Sequence, residues 1–424
     1  MNNRQKESHS KCTIFHFATG FPNFPILNQQ MNTLKPVRIR SIDLLRGLIM
    51  IIMALDHTRD YFHADAFIND PLDLGKTTIL LYFTRWITHF CAPIFILLAG
   101  SSAFISGQRK TKKELAVFLL KRGIWLIILE QTVVNFGWFF NIHFNFFIFG
   151  VIWVLGFCMV ILAGLIFLPR KLIFLIGLVM VAGHILLDPI HMPGNNLSGF
   201  LWGMLHDRKI FAIGQIHIGE AYHIIPWSGV MALGYCLGGI FANGYDAAKR
   251  KKILLLLGSA CLLLFVVNRS FNVYGNMYPW TSQPTPLLTF LSFINISKYP
   301  PSLDYLLLME GFAFLFLALT ENISNGLTRF ISVYARVPLF YYILHIYLIH
   351  VVGILAAVVS GYKWTDMTGF NSWISNVPSL QGYGFSLGVV YLIWISIVLF
   401  LYPLCKRYDR YKSSHRDKWW LSYL

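Results

Sequence analysis

Charge is what this chain has little of. Only 13% of its 424 residues are Asp, Glu, Lys or Arg, where soluble domains carry about 25%. That shortage excludes an ordinary soluble enzyme, a disordered protein and a nucleic-acid binder. Cysteines are few and scattered, at Cys12, Cys91, Cys158, Cys236, Cys261 and Cys405. They form no CxxC pair and no metal-ligand spacing, so neither a disulfide framework nor a metal site is expected. There is no GxSxG, HExxH, P-loop or strand-borne GxGxxG, which leaves serine hydrolase, zincin and nucleotide-hydrolysing readings without support. Residues 1–36 are polar and lack the basic-then-apolar layout of a cleaved signal peptide. Residues 1–37 are expected to form a disordered cytoplasmic tail, with Met31 as an alternative start. No internal repeat and no soluble domain of any size are evident.

What the chain does have is apolar sequence: 56% of residues are hydrophobic and the mean hydropathy is +0.58. A spanning helix needs about 20 mostly apolar residues to cross some 30 Å of hydrocarbon. Ten stretches qualify, near 43–63, 80–106, 115–134, 147–168, 171–187, 226–243, 253–270, 303–320, 337–359 and 385–404. The formal net charge of +16 lies in short clusters between them. Lys and Arg stay cytoplasmic in short loops, and alternate loops hold 26 basic residues on one side against eight on the other. The expectation is an all-α polytopic integral membrane protein of about ten transmembrane helices, with both termini cytoplasmic. Residues 38–405 make the transmembrane domain and 406–424 a basic cytoplasmic tail.

Ionisable groups inside a membrane helix cost several kcal/mol unless paired or hydrated, so each marks a cavity or a helix contact. The densest group ends the first helix: Asp56, His57, Arg59, Asp60 and His63. At 100° per residue Asp56, Arg59, Asp60 and His63 share a stripe, with His57 on the neighbouring face. Two imidazoles beside carboxylates can supply a general base held in one tautomer; the same residues would also serve as a salt-bridged, solvated helix end. At the other end of that helix Arg40, Asp43 and Arg46 offer either a fork for phosphate or a topology signal. His89 precedes Pro93 in Thr88-His89-Phe90-Cys91-Ala92-Pro93, where a proline kink opens a cavity or merely packs. His345 and His350, five apart, do not form a helical metal pair; one of them lining a polar interior and both bonding neighbouring helices are equally open. Lys298, before Pro300-Pro301, is a site residue or an interfacial anchor. Trp202, His206, Asp207, His217, Glu220, His223 and Trp227 in the loop 188–225 suit a sugar ring or interfacial anchoring.

These pieces occur in a recognisable order. Arg40-Ser41-Ile42-Asp43-Leu44-Leu45-Arg46-Gly47, followed by Met53-Ala54-Leu55-Asp56-His57-Thr58-Arg59-Asp60-Tyr61-Phe62-His63, resembles the opening of the DUF1624 integral-membrane family. That family carries the heparan-α-glucosaminide N-acetyltransferase catalytic domain. Gly150-Val151-Ile152-Trp153-Val154-Leu155-Gly156, Ile225-Pro226-Trp227-Ser228-Gly229, Lys298-Tyr299-Pro300-Pro301-Ser302-Leu303 and Arg336-Val337-Pro338-Leu339-Phe340-Tyr341-Tyr342-Ile343-Leu344-His345 match too. The resemblance covers about 38–405. It implies an acyl-CoA-dependent N- or O-acetyltransferase that uses cytosolic acetyl-CoA, without a metal, to modify an amino sugar or glycan on the outer face of a membrane, here the bacterial inner membrane. By that resemblance His63 and Asp56 stand where the lysosomal member has a catalytic His and Asn, the Asp being a departure. That member's lumenal domain and extra helix have no counterpart here. A wider likeness to acyltransferase-3 proteins, with their Asp-x-x-Arg-Gly…His layout, keeps O-acylation open.

The expected chemistry has acetyl-CoA docking its phosphates near Arg40 and Arg46. His57 or His63, oriented by Asp56 or Asp60, is then the base, and Arg59, His89, Lys298 and His345 line the substrate chamber. A proton-coupled transporter or exporter, with Asp56, His57, His89 and His345 as a relay, and a scaffold are the rival readings. A homodimer is left open.

Overall fold

Helix α1 (Arg40–Phe62) follows an extended Ile39. It carries Asp43 in its first turn and Arg59 in its last, charges placed to complement the helix dipole. The computed structural model of the chain describes residues 39–373, 377–415, 417–418 and 421; the tail expected over 1–37 and the Met31 start lie outside them. After α1 come α2 (Ile79–Trp86), a 3₁₀ turn over Ile87–Phe90 and α3 (Cys91–Gly107). Helix α4 (Lys112–Leu129) starts on a capping box of Thr111 and Glu114 and runs through a π turn, Glu130–Val134, into α5 (Asn135–Phe139). Strand β1 (Phe146–Phe149) leads to α6 (Val151–Leu165) and α7 (Arg170–Gly183). Then follow α8 (Leu197–Leu205), β2 (Ile210–Ile213), β3 (Ile216–Glu220), α9 (Ile224–Leu237) and α10 (Ala247–Phe271). The chain ends with α11 (Pro286–Ile294), α12 (Leu303–Thr320), α13 (Gly326–Arg336), α14 (Pro338–Val359) and α15 (Leu387–Ser414).

Among the described residues, seven helices are long and apolar enough to cross a membrane: Ile79–Gly107, Arg170–Leu187, Ile224–Phe241, Ala247–Phe271, Leu303–Thr320, Pro338–Val359 and Leu387–Ser414. Two more of the ten expected spans, 43–63 and 115–134, are the helices α1 and α4. α1 holds Asp43, Arg46, Asp56, Arg59 and Asp60, which is affordable because it sits in the middle of the bundle, against α3, α12, α13, α14 and α15. The tenth, 147–168, begins differently from its expectation. Phe146-Phe147-Ile148-Phe149 is a strand, and the helix starts only at Val151. An apolar run of four aromatic and β-branched residues is ambiguous in period; β3 resolves it by pairing with β1 in parallel and with β2 antiparallel. The fold is thus mostly helical, with this one small sheet added.

Two helix crossings depend on glycine. A Cβ on Gly100 of α3 would lie 2.1 Å from the Met231 carbonyl oxygen of α9, and one on Gly234 of α9 would lie 2.2 Å from that of Leu97. Gly123 of α4 and Gly156 of α6 face each other in the same way, each with the other's carbonyl oxygen 2.6 Å from its would-be Cβ. Small residues let backbones approach this closely where lipid provides no hydrophobic drive.

Candidate functional site

The site is built where α1, α2, the 3₁₀ turn, α5 and α14 meet. His57 stands on α1 with its ring against Trp138 of α5, centroids 4.6 Å apart. On its other side is His345 of α14, the two rings lying within 6° of parallel. His57 Nδ1 and His345 Nε2 are 2.7 Å apart, and His345 Nδ1 is 2.9 Å from the Tyr341 carbonyl oxygen. A carbonyl can only accept, so His345 Nδ1 carries the proton and its Nε2 in the neutral ring is an acceptor. His57 Nδ1 is therefore the donor, and His57 Nε2 bears the lone pair. A backbone carbonyl thus fixes the tautomer of an imidazole two links away, through a hydrogen bond that joins residues 288 apart in sequence.

The carboxylates expected to orient that imidazole do something else. Asp56 accepts from Arg85 Nη1 on both oxygens, at 2.8 and 2.6 Å, and from Arg59 at 3.0 Å. Arg59 also donates to Asp60. Opposite charges drawn together at low dielectric satisfy one another, so the expected stripe of Asp56, Arg59 and Asp60 is a salt-bridge chain closed by Arg85. His63 lies beyond it. It ends α1, pairs with Phe385, and its Nδ1 accepts the Asp65 N–H at 3.2 Å, capping the 3₁₀ turn Ala64–Phe67.

Pro93 explains the neighbourhood of His89. Proline has no N–H to offer the carbonyl four residues back, and that carbonyl, of His89, instead accepts the Tyr305 hydroxyl of α12 at 2.7 Å. The His89 ring is buried, edge-on to Tyr305 at 5.6 Å. Among the described residues neither of its nitrogens has a hydrogen-bond partner. Lys298 is buried as well, its ammonium 5.2 Å from the Tyr299 ring, and its charge acts on Asp56, His57 and His89. Tyr299 receives Arg208 over its ring and contacts the Tyr222 hydroxyl at 3.4 Å. Burial pushes the Tyr299 phenol up, but Lys298 and Arg85 beside it bring it below its ordinary value. His350 is structural: its Nδ1 and Nε2 reach the carbonyls of Gly137 and Met367 at 2.8 and 2.6 Å.

On the other side of His57, a cavity of about 320 Å³ runs between α1, α3, α4, α6 and α14. Arg46, Arg122, Ser102 and Ser106 line one end, and Arg46 donates to Ser102 Oγ at 3.2 Å. The rest of the lining is mostly apolar, with Met50, Phe95, Leu119, Leu155 and Met159. Met53 and Tyr342 also line it, and Tyr342 packs edge-on to His57 with ring centroids 6.2 Å apart. Arg40 is exposed at the start of α1 and is not among the cavity's lining residues.

The structure thus joins Asp56, His57, Arg59, Asp60, His89, Lys298 and His345 in one neighbourhood and sets Arg46 in the cavity. His63, one turn past Arg59 and within reach of its charge, stands at the edge of that neighbourhood, and Arg40 lies at the opposite end of α1. Arg85, Tyr342 and Trp138 belong to the neighbourhood without having been singled out from sequence; Arg85 sits in an otherwise apolar helix, which is the signal that would have found it. Trp227, a sugar-recognition candidate, is wholly buried between Tyr222 and Tyr305. No metal-ligand spacing stands out along the sequence, yet His184, Asp188 and His206 converge with ligand atoms within 4.8 Å of one another.

A family model described as "Heparan-alpha-glucosaminide N-acetyltransferase, catalytic" matches residues 38–279. No curated protein matches the chain.

Proposed function

The chain belongs to the heparan-alpha-glucosaminide N-acetyltransferase catalytic family, a family of transmembrane acetyltransferases, and from that membership we propose that it carries acetyl from acetyl-CoA to a glycan or amino sugar across the bilayer. The coenzyme enters from the end of the bundle bearing Arg46 and Arg122, the cytoplasmic face by the bias of basic residues. The acceptor meets it at His57 from the opposite face. Both termini lie on the donor side of a bacterial inner membrane spanned about ten times.

The observation that carries the reading is the cavity. Two guanidiniums and two hydroxyls at its mouth suit the phosphates of a coenzyme. The apolar shaft above suits a pantetheine arm, and Tyr342 beside it packs on the imidazole. In the reaction the acceptor nitrogen or oxygen attacks the thioester carbonyl while His57 Nε2 removes its proton. The tetrahedral intermediate collapses, the carbon–sulfur bond breaks, and coenzyme A leaves as a thiolate that takes the proton from His57. Lys298, near His57, offers positive charge to the developing oxyanion. His345 positions the base, and the chain of Asp56, Arg59, Asp60 and Arg85 holds α1 against α2.

The test uses the full chain in proteoliposomes with labelled acetyl-CoA and glucosamine. Acetyl transfer or acetyl-CoA hydrolysis, and saturable coenzyme A binding lost with Arg46→Ala, support the reading. Absence of saturable binding overturns it and favours a transporter or a scaffold.

A further inference from the structure

The geometry points to a zinc site at His184, Asp188 and His206, apart from the acyl-transfer site and independent of that reading. α7 tightens into a 3₁₀ turn, His184–Leu187, and Asp188 caps it. His184 and Asp188 thus stand at the two ends of that turn. His206 caps the end of α8, and its Nε2 lies 2.8 Å from Asp188 Oδ1. The rings of His184 and His206 meet at 63° with centroids 5.5 Å apart.

Two observations say that this cluster awaits something. Both imidazoles are 2% exposed. Among the described residues Nδ1 of His206 makes no hydrogen bond, and the His184 ring has no side-chain partner, with only the Pro301 carbonyl beside it. A buried polar atom left so is costly, and binding a metal ion recovers that cost. His223, wholly buried, stands beside the Asp207 backbone, close enough to feel His184 and His206. Two imidazole nitrogens and a carboxylate are a zinc donor set, with bonds of about 2.0–2.2 Å. Tetrahedral bonds of that length set ligand atoms roughly 3.3 Å apart, so side-chain rotation closes the 4.8 Å span found here. The fourth position falls to water. Such an ion would pin the end of α7 to that of α8. It would also steady the Lys298–Pro301 segment, whose Pro301 carbonyl acts on His184.

The test is elemental analysis and thermal unfolding of the full-length detergent-purified chain, stripped with chelator and reloaded with zinc chloride or magnesium chloride. One zinc per chain, a Tm raised by roughly 3–5 °C on reloading with zinc and no rise with magnesium support the site. Asp188→Asn and His206→Ala should each lose the zinc and the shift. If either fails to fold, cobalt(II) on the stripped native chain keeps the test decisive, since tetrahedral cobalt gives strong visible absorption and octahedral cobalt does not. His191→Ala, on the exposed His191–Asp207 pair nearby, should keep the zinc. No metal taken up, another metal in zinc's place, or zinc retained by Asp188→Asn and His206→Ala together overturns the proposal.

Discussion

His57 Nδ1 donates a hydrogen bond to the Nε2 of His345 at 2.7 Å, and the Tyr341 carbonyl behind His345 makes that direction the favoured one. In the proposed mechanism the base and its orienter are both histidines, drawn from the first and the penultimate long helices. A neutral imidazole in the orienting position adds no second charge to a neighbourhood that already holds Arg59, Arg85 and Lys298.

If His57 is the base, His57→Ala should lower kcat by about 10²–10⁴-fold with unfolding unchanged. His63→Ala, which removes only a turn cap, should keep kcat within about tenfold and cost about 1 kcal/mol of stability. Acetyl transfer measured beside thermal unfolding checks both. The reverse pattern would move the base to His63.

If His345 acts through His57, its variants should shift the pH–rate profile as well as kcat. His345→Gln keeps an acceptor for His57 Nδ1 and should recover part of the activity that His345→Ala loses. KM for acetyl-CoA should be the same in both. Initial rates from pH 5 to 9 give all three quantities.

Arg46→Ala and Arg122→Ala should raise KM for acetyl-CoA by about tenfold or more, since a hydrogen bond to a charged group is worth about 1.5–3 kcal/mol, while kcat with saturating donor stays near that of the native chain. Falling affinity with rising salt would accompany them in coenzyme A binding measured by calorimetry.

Asp56 and Arg85 are both inside the protein. Removing either partner of such a pair costs about 3–5 kcal/mol because the other charge is left behind. Asp56→Asn and Arg85→Met should each destabilise by that order, and the double variant by less than their sum. A thermal or denaturant double-mutant cycle reads the coupling.

Glu220 ends β3 with its carboxyl buried, and burial pushes it up to about 8. A folded value above the unfolded one stabilises the fold below the unfolded value, and the contribution is lost as pH rises through about 8. Stability should therefore decline between about pH 4 and 8. Glu220→Gln should remove that part of the slope, as unfolding across the pH range would record.

Much of this was legible in the sequence. The apolar stretches and the ionisable cluster at Asp56 to His63 follow from composition and period, because a helix's own spacing decides which residues share a face, and the family motifs followed from resemblance. What each face meets is decided elsewhere. Arg85 lies 29 residues from Asp56, and no periodicity within α1 announces it. The expectation that carboxylates orient the base followed from nearness along one helix; the fold offers those carboxylates guanidiniums, which bind them more strongly than an imidazole would. The strand at Phe146–Phe149 was hidden because its partner, β3, is about 70 residues on. The convergence of His184, Asp188 and His206 was hidden in the same way, His206 lying 18 residues on from Asp188.

The glycine contacts that seat α3 on α9 and α4 on α6 leave almost no slack between the members of each pair. Two walls of the cavity are therefore stiff planks, each made of two helices glued backbone to backbone. Any widening that admits a bulky thioester has to come from one plank sliding past the other, or from α14 stepping aside. A single bulky side chain at Gly123 would prise its plank apart and warp the shaft without touching a reacting atom.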